Sequence, residues 1–284
     1  MKLLSNFSIP EKSNIPKSFP GIFWPLCMIL VWCCVTGCTA KLPWGDPLAP
    51  PEYTSAAALV DSAAARDRRC APTIGADLAL SYQSPLTRKS IQGSFLFSFP
   101  SSFKFVVTNP FGQPVWAVAG DRHEYRILDT ANSQYTWGNV KSFGTRNGIA
   151  PFLVTGDWGQ WLTARALFPE MAPLDIREDT EKRGYWVATR QHSTPVVVTR
   201  SLVSGESGLI QTRIVETGEG KKLAQIHYSK FQQLGGCYQP QEIEITGLGY
   251  KTLLKLHLSE MELYPEPATY SLPSPPYYFK RLLP

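Results

Sequence analysis

The chain has little charge of either sign and no concentrated run of it. Its 284 residues include 28 basic and 23 acidic side chains, a net +5. So small an excess, without a Lys/Arg cluster, excludes the basic patch that nucleic-acid binding needs and leaves a mixed, solvated surface. No nucleotide-binding loop is present to drive work by hydrolysis. The four histidines, His123, His192, His227 and His257, are far apart and show no metal-ligand spacing, and the sequence His123-Glu124-Tyr125 lacks the second histidine of a zinc helix. Gly205-Glu206-Ser207-Gly208-Leu209 places Leu209 where a nucleophile elbow requires glycine. Glu242 and Glu244 share one strand face and are expected to face water. The reading is of a chain that is not an enzyme and has no cofactor, metal or nucleic-acid partner.

An apolar run long enough to cross a bilayer is also missing. Gly21 to Val35 is almost wholly apolar, but it is interrupted by Pro25 and falls short of the roughly 20 residues a spanning helix needs. A polar segment with Lys2, Lys12 and Lys17 precedes it and the small residues Thr36-Gly37 follow, which is the layout of a secretory signal over residues 1–37. The rival, an uncleaved N-terminal anchor, suffers from the same shortness. Val35-Thr36-Gly37-Cys38 resembles the bacterial lipobox, in which the thiol accepts diacylglycerol and a small residue precedes it. This resemblance implies acyl chains on Cys38, and more than one chain is what makes membrane anchoring stable. Thr39, where an aspartate would favour inner-membrane retention, favours the outer membrane.

Few cysteines remain after such processing. Cys27, Cys33 and Cys34 leave with the signal and Cys38 is modified, so Cys70 and Cys237 are left in an oxidising compartment. One disulfide and two buried thiols are both compatible with that. Residues 38–52 are proline-rich and read as a tether. Residues 53–264 read as one domain. It opens with an Ala-rich helix over Tyr53–Cys70, for which Thr54 or Ser55 is a plausible cap. The proline-rich tail, 265–284, is expected to be extended or disordered.

Between helix and tail, period-2 alternation dominates. Phe95, Phe97 and Phe99 fall on one face and Ser94 and Ser98 on the other; Phe103, Phe105 and Val107 oppose Lys104 and Thr108. Further short strands follow, around Trp116 among others. The period changes between Asn147 and Glu170, where Trp158, Trp161 and Leu162 are helically spaced and Asp157 can cap; two short helices are expected there. Strands then resume up to Tyr264. Aromatic rows this long need a cover. That cover is either a packed helix layer over an ordinary core, or loosely closing helices over a cavity in a curved sheet.

One turn is out of character. Asn109-Pro110-Phe111-Gly112 joins two strands yet carries Phe111 where a hairpin normally presents a polar residue. The stretch from Phe103 to Val118 is similar to the LolB family of outer-membrane lipoprotein receptors, in which a strand ends in Thr-Asn-Pro, a bulky aliphatic residue and Gly. The likeness runs upstream through the Ile91–Phe99 strand and downstream to Ser133–Gly138 and to Gly156–Leu162. It implies a mainly β fold, an incomplete, strongly curved antiparallel β-barrel with an α-helical lid. It further implies a monomer that takes lipoprotein acyl chains from a LolA-like soluble carrier and releases them into the inner leaflet of the outer membrane. On that resemblance the acyl-lining candidates are Phe95, Phe97, Phe99, Phe103, Phe105, Val107, Trp116, Trp158, Trp161 and Leu162. Asn109, Pro110, Phe111 and Gly112 form the membrane-inserting loop. The chain departs from the family pattern in having an aromatic residue at 111, a longer tail and extra residues in its second half. A relative that binds another lipid, glycolipid or protein is the alternative.

Overall fold

The alternating stretches become strands of one large curved, unclosed sheet in the computed structural model, which describes residues 42–146, 158–166, 175–191, 196–248 and 251–283. In chain order the strands are β1 (Trp44–Pro47), β2 (Thr73–Gln83), β3 (Arg88–Ser98), β4 (Ser102–Thr108), β5 (Pro114–Gly120), β6 (Glu124–Asp129), β7 (Gln134–Asn139) and β8 (Asp175–Asp179). They continue as β9 (Gly184–Gln191), β10 (Val197–Ser204), β11 (Ile210–Thr217), β12 (Lys222–Leu234), β13 (Cys237–Thr246), β14 (Leu253–Tyr264) and β15 (Phe279–Leu283). The described helices are α1 (Pro50–Arg68), α2 (Val140–Arg146) and α3 (Trp158–Thr163).

Hairpins set nearly all of the order. β8 to β14 run as one antiparallel meander and β2 to β7 as another, joined by the pairing of β14 with β2; β1 lies beside β8 at one edge and β15 beside β7 at the other. The β7–β15 pair is parallel. β3 and β4 approach closely at Gly93, where a Cβ would stand 2.2 Å from the Val106 carbonyl oxygen. Only glycine permits such an approach, and glycine at such a site marks a bend.

The sheet's inner face carries α1 and α3. Phe95, Phe97, Phe105, Val203, Val215, Ile226, Ile243, Ile245, Leu256 and Leu258 are buried there in one cluster with Val60 and Ala63 of α1 and Trp161 of α3. Strand pairing accounts for this, because paired residues such as Phe95 and Phe105, or Ile226 and Ile245, point the same way. The outer face is polar at its centre and apolar at its two ends. At one end Trp44 covers Trp186, Leu202 and Ile214. At the other, Leu272, Tyr270 and Tyr278 of the tail cover Ala117, Ala119 and Tyr135.

Three expectations are corrected by these elements. The tether expected through residue 52 ends earlier, because Trp44–Pro47 pairs with β8 and α1 already starts at Pro50. Pro50 and Pro51 occupy the first helical positions, where a missing N–H costs nothing and φ is preset. Thr54 and Ser55 therefore do not cap; their hydroxyls donate back to the Pro50 and Pro51 carbonyls. Of the two readings of the tail, disordered is the one overturned: the segment is extended and laid along the sheet. Ser98 Oγ accepts from the Ala268 N–H at 2.9 Å, Ser102 Oγ accepts from Tyr270 at 2.8 Å, and Tyr135 donates its hydroxyl to the Leu272 carbonyl at 3.0 Å. Of the two expected helices, only Trp158–Thr163 falls on described residues, whereas Asp157 and most of Asn147–Glu170 lie outside them.

Cys70 is bridged to Cys237, with Cα atoms 5.6 Å apart, so the end of α1 is fixed to the start of β13. A closed loop of 167 residues removes chain entropy from the unfolded state worth about 5 kcal/mol by the loop-entropy rule.

Asp179 anchors the N-terminal edge. Its buried carboxylate accepts from Trp186 Nε1 at 2.8 Å and from Arg183 Nε at 2.8 Å, while Trp186 packs edge-on against Trp44. Burial pushes this carboxyl up, and the hydrogen bonds from Arg183 and Trp186 more than reverse that, leaving it below the ordinary value of 3.8. A depressed carboxyl gives stability that is complete above its unfolded pKa and lost as pH falls through the folded one. Acidification below pH 4 should therefore shift the Trp186 indole N–H resonance. Asp179→Asn should cost about 2 kcal/mol at neutral pH, read by urea unfolding, and should abolish that acid step.

Candidate functional site

Period-2 alternation on β3 to β5 and helical spacing on α3 bring the ten acyl-lining candidates together. Phe95, Phe97, Phe105 and Trp161 are buried; Phe99, Phe103, Val107, Trp116, Trp158 and Leu162 are half-buried and packed against the same cluster. Ring contacts join neighbours, with centroids of Phe97 and Phe99 5.5 Å apart, Phe105 and Trp116 6.3 Å, and Trp158 and Trp161 5.1 Å. These distances are those of favourable edge-on aromatic pairs. Among the described residues these rings pack against one another beneath α3, with half-buried rings at the rim. A cavity of about 280 Å³ lies on the polar outer face, lined by Ser81, Ser90, Glu242, Glu244 and Lys255 among others.

Polar bonds hold α3 and the residues after it over this layer. Arg213 of β11 is 1% exposed and points inward beside Val215 and Ile226. Its Nη1 donates to Gln160 Oε1 at 2.7 Å and its Nη2 to the Arg165 carbonyl, whereas its Nε has no hydrogen-bond partner. Gln239 Nε2 donates to the Leu162 carbonyl at 2.8 Å. The buried Asp67 of α1 accepts from the Ala166 N–H at 2.7 Å and from Arg66 Nε at 2.8 Å. Arg165 donates to the Ala71 carbonyl and lies 4.7 Å from the Phe99 ring centroid. Burial pulls the Arg165 guanidinium down to about 10, with the Asp67 carboxylate acting the other way. Gly159 lets α3 sit directly on the β3–β4 turn, because a Cβ there would lie 2.8 Å from both the Phe99 ring and the Pro100 oxygen.

A half-satisfied buried guanidinium is a poor way to stabilise a core, since the desolvation cost of the ion is large. It is a good way to make a cover removable. Were α3 displaced, water reaching Arg213 and Arg165 would offset part of the cost of exposing apolar rings. None of these polar residues was visible as functional in the sequence. Arg213 sits in an alternating strand where either Thr212 or Arg213 could face outward, and Asp67 reads as one more polar residue of a helix.

The Asn109–Gln113 turn is stiff. Asn109 Oδ1 accepts from the Phe111 N–H at 2.9 Å and the Gln113 N–H at 3.0 Å, and the Gly112 N–H donates to the Asn109 carbonyl at 2.9 Å. Gly112 has φ +78°, in the left-handed region that favours glycine. Asn109 and Gly112 thus build the turn, and it displays Phe111, which is 89% exposed.

The remaining sequence candidates are scattered. Ser207 lies in the β10–β11 turn, where its carbonyl accepts from Arg66 Nη1. His227 and His257 stand on different strands, and His192 and Cys38 are outside the described residues. Among the described residues no group of three His, Cys, Asp or Glu side chains converges on a metal-sized site.

No protein-family model matches the chain, and no curated protein matches it. Several solved structures resemble its fold. A domain from Vibrio parahaemolyticus described as an outer membrane lipoprotein-sorting protein is 8% identical over 74% of this chain and 92% of its own, with a TM-score of 0.48. A LolA superfamily protein from Nitrosomonas europaea is 15% identical over 73% of this chain and 94% of its own, with a TM-score of 0.46. A DUF1329 family protein from Desulfovibrio piger is 9% identical over 73% and 92%, also at 0.46. Scores below 0.5 at such identities leave the functional reading to this chain's own residues.

The latch has a direct test. Arg213→Met keeps the volume and removes the donors. It should free α3 and raise the binding of an environment-sensitive apolar dye several-fold, while far-ultraviolet circular dichroism stays unchanged. Dye binding equal to that of the parent protein would show that Arg213 does not hold the cover.

Proposed function

We propose that this chain is a lipid-anchored envelope protein that shelters lipoprotein acyl chains beneath α3 and passes them to the outer membrane through the Phe111 turn. The observation that carries this reading is Phe111 itself, an exposed aromatic ring on a turn built by Asn109 and Gly112. The aromatic layer supplies a matching apolar surface. An acyl chain with about fourteen methylenes gains about 0.8 kcal/mol for each one buried, on the order of 11 kcal/mol per chain, so a carrier has to offer comparable burial. Rings half-buried at the rim are the first surface such a chain meets, and lifting α3 makes room beyond them.

Release needs no chemical energy in this scheme, because the bilayer is the better solvent and the obstacle is kinetic. Phe111 entering lipid gains roughly 1.5–3 kcal/mol, enough to hold the molecule against the membrane during transfer. The signal over residues 1–37, acylation of Cys38, outer-membrane residence, supply by a LolA-like soluble carrier and a monomeric state belong to the same proposal. The chain enters the sheet at Pro43, whose carbonyl accepts from Thr180 in the β8–β9 turn, at the end opposite Phe111.

Phe111→Glu should leave capture of an acylated lipoprotein unchanged and cut its transfer into liposomes by ten-fold or more. Unimpaired transfer by this variant would remove the mechanism. A photoreactive residue at Trp116 or Phe105 separates the alternative, a relative that binds one other lipid, glycolipid or protein. Many lipoproteins should be crosslinked in cells by a general carrier, and a single species by a sensor.

A further inference from the structure

Antiparallel order places the β2–β3, β4–β5 and β6–β7 turns at one end of the sheet. The first holds Leu86, 95% exposed, and the second holds Phe111. The tail reaches the third, because the Phe279 N–H donates to the Ser133 carbonyl at 2.9 Å and Phe279 pairs with Gln134. That contact sets Tyr277, 94% exposed, and Phe279, 69% exposed, beside the β6–β7 turn. Turns two strands apart are roughly 10 Å apart, so Leu86, Phe111 and Tyr277 span about 20 Å along one rim.

Isolated apolar residues on a surface need no explanation, but three on neighbouring turns of one rim make a patch. Basic residues accompany them. Arg88 and Lys89 follow Leu86, Lys280 and Arg281 follow Phe279, and exposed Lys251 stands in the adjoining β13–β14 turn. Glu219, in the next turn along, is followed by Lys221 and Lys222. Apolar tips with long basic side chains beside them fit the boundary of a bilayer, where rings enter the acyl region and cations meet phosphate. The tail's anchoring supports the same point. Three hydrogen bonds to Ser98, Ser102 and Tyr135 and the burial of Leu272 hold the strap, whereas Tyr277 and Phe279 beyond them are left outside.

We infer that the C-terminal strap is a second membrane-contact element, which with Leu86 and Phe111 forms a rim that binds a bilayer containing anionic phospholipid. This rests on the proposed role of Phe111 and extends it, by making the strap and the basic residues necessary for a defined pose. A single inserted ring would let the molecule pivot; a second contact about 10 Å away fixes the direction in which the inner face opens.

The test places a photoreactive phenylalanine analogue at 86, 111, 277 or 279 of the full chain in bacterial envelopes, with positions 182 and 206 on the opposite end as controls. After illumination, phospholipid adducts are measured by mass spectrometry. Adducts from 86, 277 and 279 should exceed those from 206 by five-fold or more. In reconstituted vesicles, Lys89→Glu with Lys280→Glu should lower the yield at 277 at least three-fold when phosphatidylglycerol is present and leave it unchanged in phosphatidylcholine alone. Background yield at 277 and 279 with strong labelling at 111 overturns the strap inference and leaves the reading of Phe111 standing. Background yield at 111 as well overturns both. Protein adducts in place of lipid at 277 and 279 assign the strap to a protein partner and overturn the inference.

Discussion

Keeping a broad aromatic face dry without sealing it permanently is the constraint on which this structure turns. Among the described residues the cover includes the short helix α3. α3 contributes Trp161 to the buried layer and rests its backbone on Phe99 and Pro100 through Gly159. A cover attached by packing alone would be as hard to remove as any core helix. Here the bonds from Arg213, Gln239 and Asp67 do much of the holding, and water can replace each of them. The disulfide from Cys70 to Cys237 fixes α1, whereas α3 is held by packing and hydrogen bonds.

The outer face solves a different problem. A sheet with one face on the core normally turns a polar face to water, as the central strands do here. At each end that rule is broken, and a terminal segment covers the exception: Trp44 over Trp186 and Leu202 near one edge, Leu272 and Tyr270 over Ala117 and Ala119 near the other. The same segments add strands at the two open edges, β1 and β15, where unpaired backbone groups would otherwise invite association. Both ends of the folded chain thus act as edge guards, and the C-terminal one also brings exposed aromatic rings to the rim that carries Phe111.

Much of this was legible in the amino-acid order because period and position coincide. Phe95 and Phe97, like Phe103 and Phe105, recur two apart, and Trp158 and Trp161 are three apart, so their shared face follows from geometry. Phe111 was legible because a ring is wrong for a turn. β8 was not, since Asp-Ile-Arg-Glu-Asp has one apolar residue and reads as loop; it is a strand because β9 supplies its partner. α2 carries Gly144 and β-branched residues that hide it, although the Asn139 side chain caps it by accepting from Lys141 at 2.8 Å and was there to be read. The strap was hidden by its prolines. Its order depends on Ser98, Ser102 and Tyr135, more than a hundred residues away in the chain. Arg213 became visible only when α3 was in place above it.

Movement of α3 under a bound acyl chain is the point on which function and structure meet, and hydrogen exchange on the full chain reads it directly. With a triacylated cysteinyl lipopeptide bound, amides of residues 158–166 should exchange at least ten-fold faster, while those of β3, β4 and β5 keep their protection. Stoichiometric binding that leaves residues 158–166 unchanged, or that protects only the outer face around Glu242 and Lys255, would contradict acyl chains entering beneath this helix.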